Sequence, residues 1–240
     1  MLSSLRSTLL LALGIAAAGW FVGEGFQKGR AADRYVTVKG ISEREVKADV
    51  AVWLLRFVAS DNDLGRAQAK IAANQKTILD FIEKYGVPAE AVELQGLEVN
   101  DLLANPYRSG PIESRYIINQ GVLVRSDRPE EIQAISQKVG ELVEAGVVLS
   151  SGGGPAQGPT YLFTRLNDVK PEMIAEATAS ARASAEQFAK DSRSRLGGIR
   201  QANQGVFVIL PRDQAPGAME EAQIAKKVRV VTTVEYYLKD

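Results

Sequence analysis

The 240-residue sequence contains no cysteine and no histidine. Without cysteine there are no disulfides, no thiolate metal sites and no thiol nucleophile. Without histidine the commonest general base, the commonest metal ligand and every Ser-His-Asp arrangement are excluded. Catalysis by paired carboxylates, lysine or tyrosine stays open in principle. The expectation is nonetheless a chain that is not an enzyme, with no catalytic, cofactor-binding or metal-binding residue to assign. A charge of one sign is missing too, because 29 Lys and Arg balance 29 Asp and Glu. A nucleic-acid binder needs a basic surplus to neutralise phosphates, so no nucleic-acid partner is expected. The lack of cysteine suits oxidising and reducing compartments equally and does not locate the protein.

Long hydrophobic runs are scarce as well. The one candidate is Leu9–Val22, LLLALGIAAAGWFV, uncharged and preceded by Arg6. Fourteen helical residues span about 21 Å, short of a hydrocarbon core of roughly 30 Å. Extending the run from Ser7 to Phe26 reaches the length but takes in Glu24. Length favours a signal-peptide core, yet the small-residue cleavage pattern at Ala16-Ala17-Ala18 lies inside the apolar run. Gly23-Glu24-Gly25 and Arg30-Ala31-Ala32 are weaker alternatives. Trp20 and Phe21 fit an interfacial anchor. An uncleaved signal anchor, a cleaved signal peptide and a buried helix of the folded domain therefore all remain open, with the anchor leading. Arg6 on one side and Lys28, Arg30 and Arg34 on the other leave orientation unsettled by charge. The expected organisation is a membrane segment with linker over 1–33 and one domain over 34–240. The roughly 200 residues of that domain can bury a core without disulfides or metals.

Three amphipathic helices are legible. Leu64–Tyr85 places Leu64, Ala67, Ile71, Ile78, Ile82 and Tyr85 on one face; Asn62 or Asp63 can cap it, and Gly86 with Pro88 stops it. Arg128–Ala145 turns Ile132, Ile135, Val139 and Leu142 inward behind an Asp127-x-x-Glu130 capping box and ends at Gly146. Val169–Leu196 carries Ile174, Ala177, Ala181, Ala185 and Phe188 inward, with Gly197-Gly198 closing it. Small residues at every fourth position let a sheet face approach that helix closely. Strand-like runs cover Tyr35–Lys39, Val46–Val58, Val92–Val99, Tyr116–Val124, Tyr161–Leu166, Val206–Leu210 and Val228–Leu238. In the last, Val228, Val230, Thr232, Val234 and Tyr236 share one face. The pattern reads as α+β, with an antiparallel or mixed sheet packed against the three helices.

Several spots merit a chemical reading. The Gly-rich stretch Ser150–Pro159 lacks a GxxxxGK[ST] pattern and precedes a strand, so it reads as a surface connection and not a phosphate cradle. Glu130-Glu131 and Glu220-Glu221 read as solvated carboxylate pairs. The run Asp191–Arg195 reads as a solvated helix end. Tyr107-Arg108 and Tyr236-Tyr237 can stack on a partner or simply pack. Leu103–Glu113 and Arg212–Gln223 read as polar loops.

Three segments carry a resemblance. Thr37-Val38-Lys39-Gly40, Ser42-Glu43 and Val46-Lys47-Ala48-Asp49 resemble the entry strands of the SIMPL (DUF541) family, with Ala48 where proline is usual. The stretch Tyr116–Gly146 looks like the family's central strand and helix. Ala175–Leu196 with Gly197-Gly198-Ile199 looks like its third helix and the turn after it. The resemblance implies a bacterial envelope protein of the SIMPL type, tethered in the inner membrane by a single N-terminal helix and facing the periplasm. A cleaved periplasmic form is the alternative. It further implies a self-assembling scaffold with a role in envelope or oxidative stress tolerance, no cofactor, and homo-oligomers as partners. Were Val228–Leu238 at a sheet edge, it would be the self-pairing surface. The alternative function is a small-molecule or peptide-binding module of unnamed ligand, seated between helices and sheet near Leu103–Glu113.

Overall fold

The computed structural model describes residues 13–25, 34–104, 113–150 and 158–239. The protein is α+β with antiparallel strand pairing, as the sequence pattern predicts. Its chain divides into two compact units, one formed by Met1–Arg44, Val169–Val208 and Arg229–Asp240, the other by Glu45–Asp168 and Ile209–Val228.

The first described helix, α1, covers 13–25, with Leu13, Ile15, Trp20, Phe21 and Val22 all exposed. Among the described residues no helix is long and apolar enough to cross a membrane. The remainder of the expected anchor, 1–12 and 26–33, lies outside the described residues.

In the first unit, strands β1 (Tyr35–Lys47), β10 (Ala225–Lys239) and β8 (Arg195–Gln204) form a sheet in the order β1-β10-β8. Helix α5 (Leu166–Asp191) packs there through Met173, Ala177, Ala181, Ala185 and Ala189, all buried. The close approach expected of the alanine stripe is realised at Gly40, where a Cβ would stand 1.8 Å from the Ala177 carbonyl oxygen. No side chain fits there, which is why the entry strand needs glycine. Ser42, two residues on, donates to Glu176 at 2.6 Å, and Arg44 reaches Glu172 and Glu176, each at 2.6 Å. The alternation read in the last strand holds: Val228, Val230, Thr232, Val234 and Tyr236 are all buried.

Three expectations fail here. Phe188 is exposed, not inward, because the buried line runs at four-residue spacing through Ala181 and Ala185 to Ala189, leaving Phe188 off it. The helix also ends at Asp191, and Gly197-Gly198 lie within β8. Its stop is Arg193 in the left-handed region at φ 55. There the Arg193 amide donates to the Lys190 carbonyl and the Ser194 amide to the Ala189 carbonyl, the double hydrogen bond of a Schellman cap. Finally, β10 is the central strand of its sheet, so it is not a self-pairing edge; the long edges are β1 and β8, and a short fourth strand over Val208–Pro211 also pairs with β10.

In the second unit, β2 (Val50–Asp61) and β5 (Tyr116–Ser126) pair along their whole lengths, from Ala51↔Ser126 to Asp61↔Tyr116. β3 (Val92–Leu94) and β4 (Glu98–Asp101) lie along β5, and β6 (Val148–Leu149) and β7 (Thr160–Leu162) along β2. The expected strand over Val92–Val99 is thus two short ones. Strands Val46–Val58, Tyr161–Leu166 and Val206–Leu210 shift to Val50–Asp61, Thr160–Leu162 and β9 (Val208–Pro211). Helix α2 (Leu64–Lys84) is capped by the Asp63 side chain, which accepts from the Arg66 amide, and stopped by Gly86 at φ 80. Leu64 is exposed at its start, and Phe81 joins the buried face instead. The second expected helix is broken into α3 (Pro129–Ser136) and α4 (Gly140–Glu144) by a turn at 137–139. Its capping box does not form, because Pro129 at the first helical position makes Arg128 the N-cap, without a side-chain cap bond. Phe57, Trp53, Ile71, Ile78, Ile118, Val122, Ile132 and Leu142 build a large-residue core between sheet and helices.

Candidate functional site

The charged spots singled out in the sequence resolve into structural pairs. Glu130 and Glu131, in the first turn of α3, meet Lys47 at 3.1 Å and Arg128 at 2.9 Å. Glu130's own amide and Lys47 hold its carboxyl below the usual range. Glu220 is not merely solvated: its carbonyl accepts from Lys226 Nζ at 2.7 Å and its carboxylate from the same nitrogen. Lys226 is fully buried, on the inward line that continues through Val228 and Val230. The pair fastens the Arg212–Gln223 loop, which contains a single 3-10 turn at Glu220–Ala222. Tyr236 is a core residue and Tyr237 is partly exposed. Tyr107-Arg108 and the stretch 151–157 lie outside the described residues. Arg193 and its neighbours form the helix-ending turn described above.

Two further carboxylates are clamped. Burial alone would push the Asp49 carboxyl up, but the Thr164 hydroxyl at 2.7 Å and amide at 2.6 Å outweigh it and hold it below its ordinary value. The Arg66 and Lys70 side chains do the same, more strongly, to Asp61. Half-buried Tyr85 donates to Glu141 at 2.5 Å, and that bond together with burial raises the phenol above its usual range. A phenol so held is a poor base at neutral pH. Among the described residues no group of three or more acidic side chains is placed to hold a metal.

What stands apart is a polar cleft of about 510 Å³ on the outer face of the second unit's sheet. Strand alternation builds it. β2 turns Ala51, Trp53, Leu55 and Phe57 inward, so Leu54 and Arg56 face out; β5 buries Ile118, Val122 and Val124, leaving Asn119 and Gly121 outward. Arg56 pairs in register with Gly121, and Asn119 with Glu98 of β4. The Gln95 amide donates to the Gly121 carbonyl at 2.8 Å, which brings Gln95 to the other flank. Gly121 is the hollow's floor: a Cβ there would sit 3.1 Å from Gln95 Cβ and 3.2 Å from Leu54 Cδ1.

Four polar side chains around this floor, those of Arg56, Gln95, Glu98 and Asn119, make no hydrogen bond or ion pair with the described residues. Elsewhere on the surface most arginines are engaged, as at Arg44, Arg66, Arg115 and Arg128. A second, more apolar groove of about 670 Å³ runs between α2 and β3 past Leu79, Val87, Val92 and Leu94. Its Lys76 and Asp80 are paired with each other at 3.5 Å, so it offers less unsatisfied polarity to a ligand. Sequence reasoning missed the Gly121 cleft. The available signals were an isolated glycine inside a strand pattern, which marks close approach or a hollow, and an arginine within the apolar run of β2.

No curated protein matches the chain. A family model described as a protein of unknown function, DUF541, matches residues 36–236, running through the entry strand with Gly40, the central β5 and the alanine-striped α5. With the greater part of its length covered, the chain belongs to the SIMPL family.

Proposed function

We propose that the protein is a non-enzymatic envelope scaffold that self-associates through the open edges of the first unit's sheet. The observation that carries this reading is the pair of long edge strands, β1 of 13 residues and β8 of 10, on either side of β10. Edge strands of that length present rows of unpaired N–H and C=O groups, and natural proteins usually blunt them. β8 has no lysine and no proline along its length. Joining β8 of one copy to β1 of the next is head-to-tail pairing, which closes into a ring or runs on as a filament. The apolar run at Leu9–Val22 supplies a tether in this reading, holding the assembly at the inner membrane with the folded units in the periplasm. A role in envelope or oxidative stress tolerance extends the same reading.

The register fixes a clean test. The Gly205 amide bonds the Val231 carbonyl, and Asn203 pairs with Thr233 and Gln201 with Glu235. Antiparallel alternation then turns the amides of Ala202 and Gln204 away from β10, toward the free edge. Ala202→Pro removes an outward donor without touching the internal ladder. Native mass spectrometry of the full-length protein in mild detergent is expected to show a multi-copy assembly that shrinks in this variant while circular dichroism is unchanged. A wild-type monomer, or a folded variant with the same assembly, sinks the reading.

A second reading, a small-molecule or peptide-binding module, is supported by the four polar side chains around Gly121 that have no partner among the described residues.

A further inference from the structure

We infer that the Gly121 cleft binds a short linear peptide through its free termini. This rests on the binding-module reading and assigns its ligand class. A cation and an anion face the same hollow without neutralising each other: Arg56 on β2 and Glu98 on β4. They stand two strands apart and two residues out of step, since Arg56 pairs with Gly121 and Glu98 with Asn119. At a strand spacing of about 4.8 Å and a rise of about 3.4 Å per residue, their Cα atoms are about 12 Å apart. No ion pair joins the two side chains, and with both upright the gap matches a ligand carrying opposite charges at its two ends.

A peptide of about three residues, extended at about 3.3 Å each, places its carboxylate and ammonium about 10 Å apart. The Arg56 guanidinium takes the carboxylate through two parallel N–H donors. The Glu98 carboxylate takes the ammonium. Between them stand Asn119 and Gln95, whose carboxamides each donate and accept, as the N–H and C=O of a peptide bond require. Leu54 offers apolar wall for a small side chain. A free amino acid would meet both charges only if the two side chains leaned across the hollow, and an anion such as phosphate would leave Glu98 opposed to it.

The test is isothermal titration calorimetry on the full-length protein in mild detergent, with trialanine, N-acetyl-trialanine amide and alanine as probes. Trialanine is expected to give saturable heat, with the blocked peptide and alanine at least roughly tenfold weaker. Arg56→Gln and Glu98→Gln change exposed side chains, so folding is preserved, and each is expected to weaken trialanine roughly tenfold or more. Blocked and free peptides binding equally, with Arg56→Gln weakening both, overturns recognition of the termini while the cleft remains a binding site. No saturable heat from any probe up to about 10 mM overturns the peptide assignment and the binding-module reading together. Trialanine binding untouched by either substitution places the peptide elsewhere and also overturns the proposal.

Discussion

The two compact units are held together by opposite means. The second unit is conventional, with Phe57, Trp53, Ile71, Ile78, Ile118 and Leu142 filling the space between sheet and helices with large side chains. The first has a sparse core of Val38, Ala181, Ala185, Val234 and Tyr236. It compensates by bringing backbones together, with Gly40 set directly on the Ala177–Ala181 turn of α5. Cohesion in one comes from side-chain volume removed from water, and in the other from the absence of volume where helix and strand meet. Removing volume should therefore damage the second unit, and adding volume should damage the first.

The largest expected effect is in the second unit. Phe57→Ala deletes a fully buried ring and should cost about 4 kcal/mol, read from the urea midpoint by the fluorescence of Trp53, which packs in the same core. Next comes the reverse operation in the first unit. Gly40→Ala adds one methyl group where none fits and should cost about 3 kcal/mol, read by circular dichroism in urea. If Gly40→Ala costs less than about 1 kcal/mol, close backbone approach is not what holds the first unit.

Polar ties sharpen the contrast by a smaller amount. Asp49, in the second unit, is 13% exposed and accepts twice from Thr164. Glu176, in the first, is 51% exposed though bound by Ser42 and Arg44. Both carboxyls are held below their ordinary values, so each adds stability that is present above the unfolded carboxyl range, about pH 4, and is lost as pH falls through the folded value. Asp49→Asn should cost about 2 kcal/mol at neutral pH and flatten the acid limb of the stability profile. Glu176→Gln should do less of both, since solvent screens its partners. Urea midpoints between pH 2 and 7 decide it (roughly the span over which carboxylates titrate); equal effects would remove the distinction.

The sequence carried the helix faces and strand alternation well because these depend on local period. Asp63 and Gly86 bracket α2 as read, and Ala177, Ala181 and Ala185 face the sheet as read. It misled where a stop could be made in more than one way. Gly197-Gly198 looked like the end of α5, yet the left-handed residue is Arg193 and the glycines extend β8, where a Cβ at Gly197 would come within 2.9 Å of the Tyr237 carbonyl oxygen. The central placement of β10 was hidden because strand order is a non-local property. For the same reason neither Lys226 nor Arg56 could be judged in advance. Alternation puts one inward and one outward, but only the fold supplies Glu220 to the first and leaves the second without a partner among the described residues.

The smallest effect should run in the stabilising direction. Thr232 lies on the inward face of β10, 4% exposed between Val230 and Val234, and its hydroxyl oxygen has no hydrogen-bond partner among the described residues. A large-residue core can shift side chains to reach such a group, but the first unit, packed backbone to backbone along α5, has little slack. The hydroxyl therefore loses its water on folding and recovers nothing. Thr232→Val keeps the branched shape and the strand preference while deleting the unsatisfied oxygen. It should raise stability by about 1 kcal/mol, seen as a higher urea midpoint with unchanged slope. Loss of stability instead would mean that the oxygen is hydrogen-bonded in solution, and that the interior of the first unit is less dry than its close packing implies.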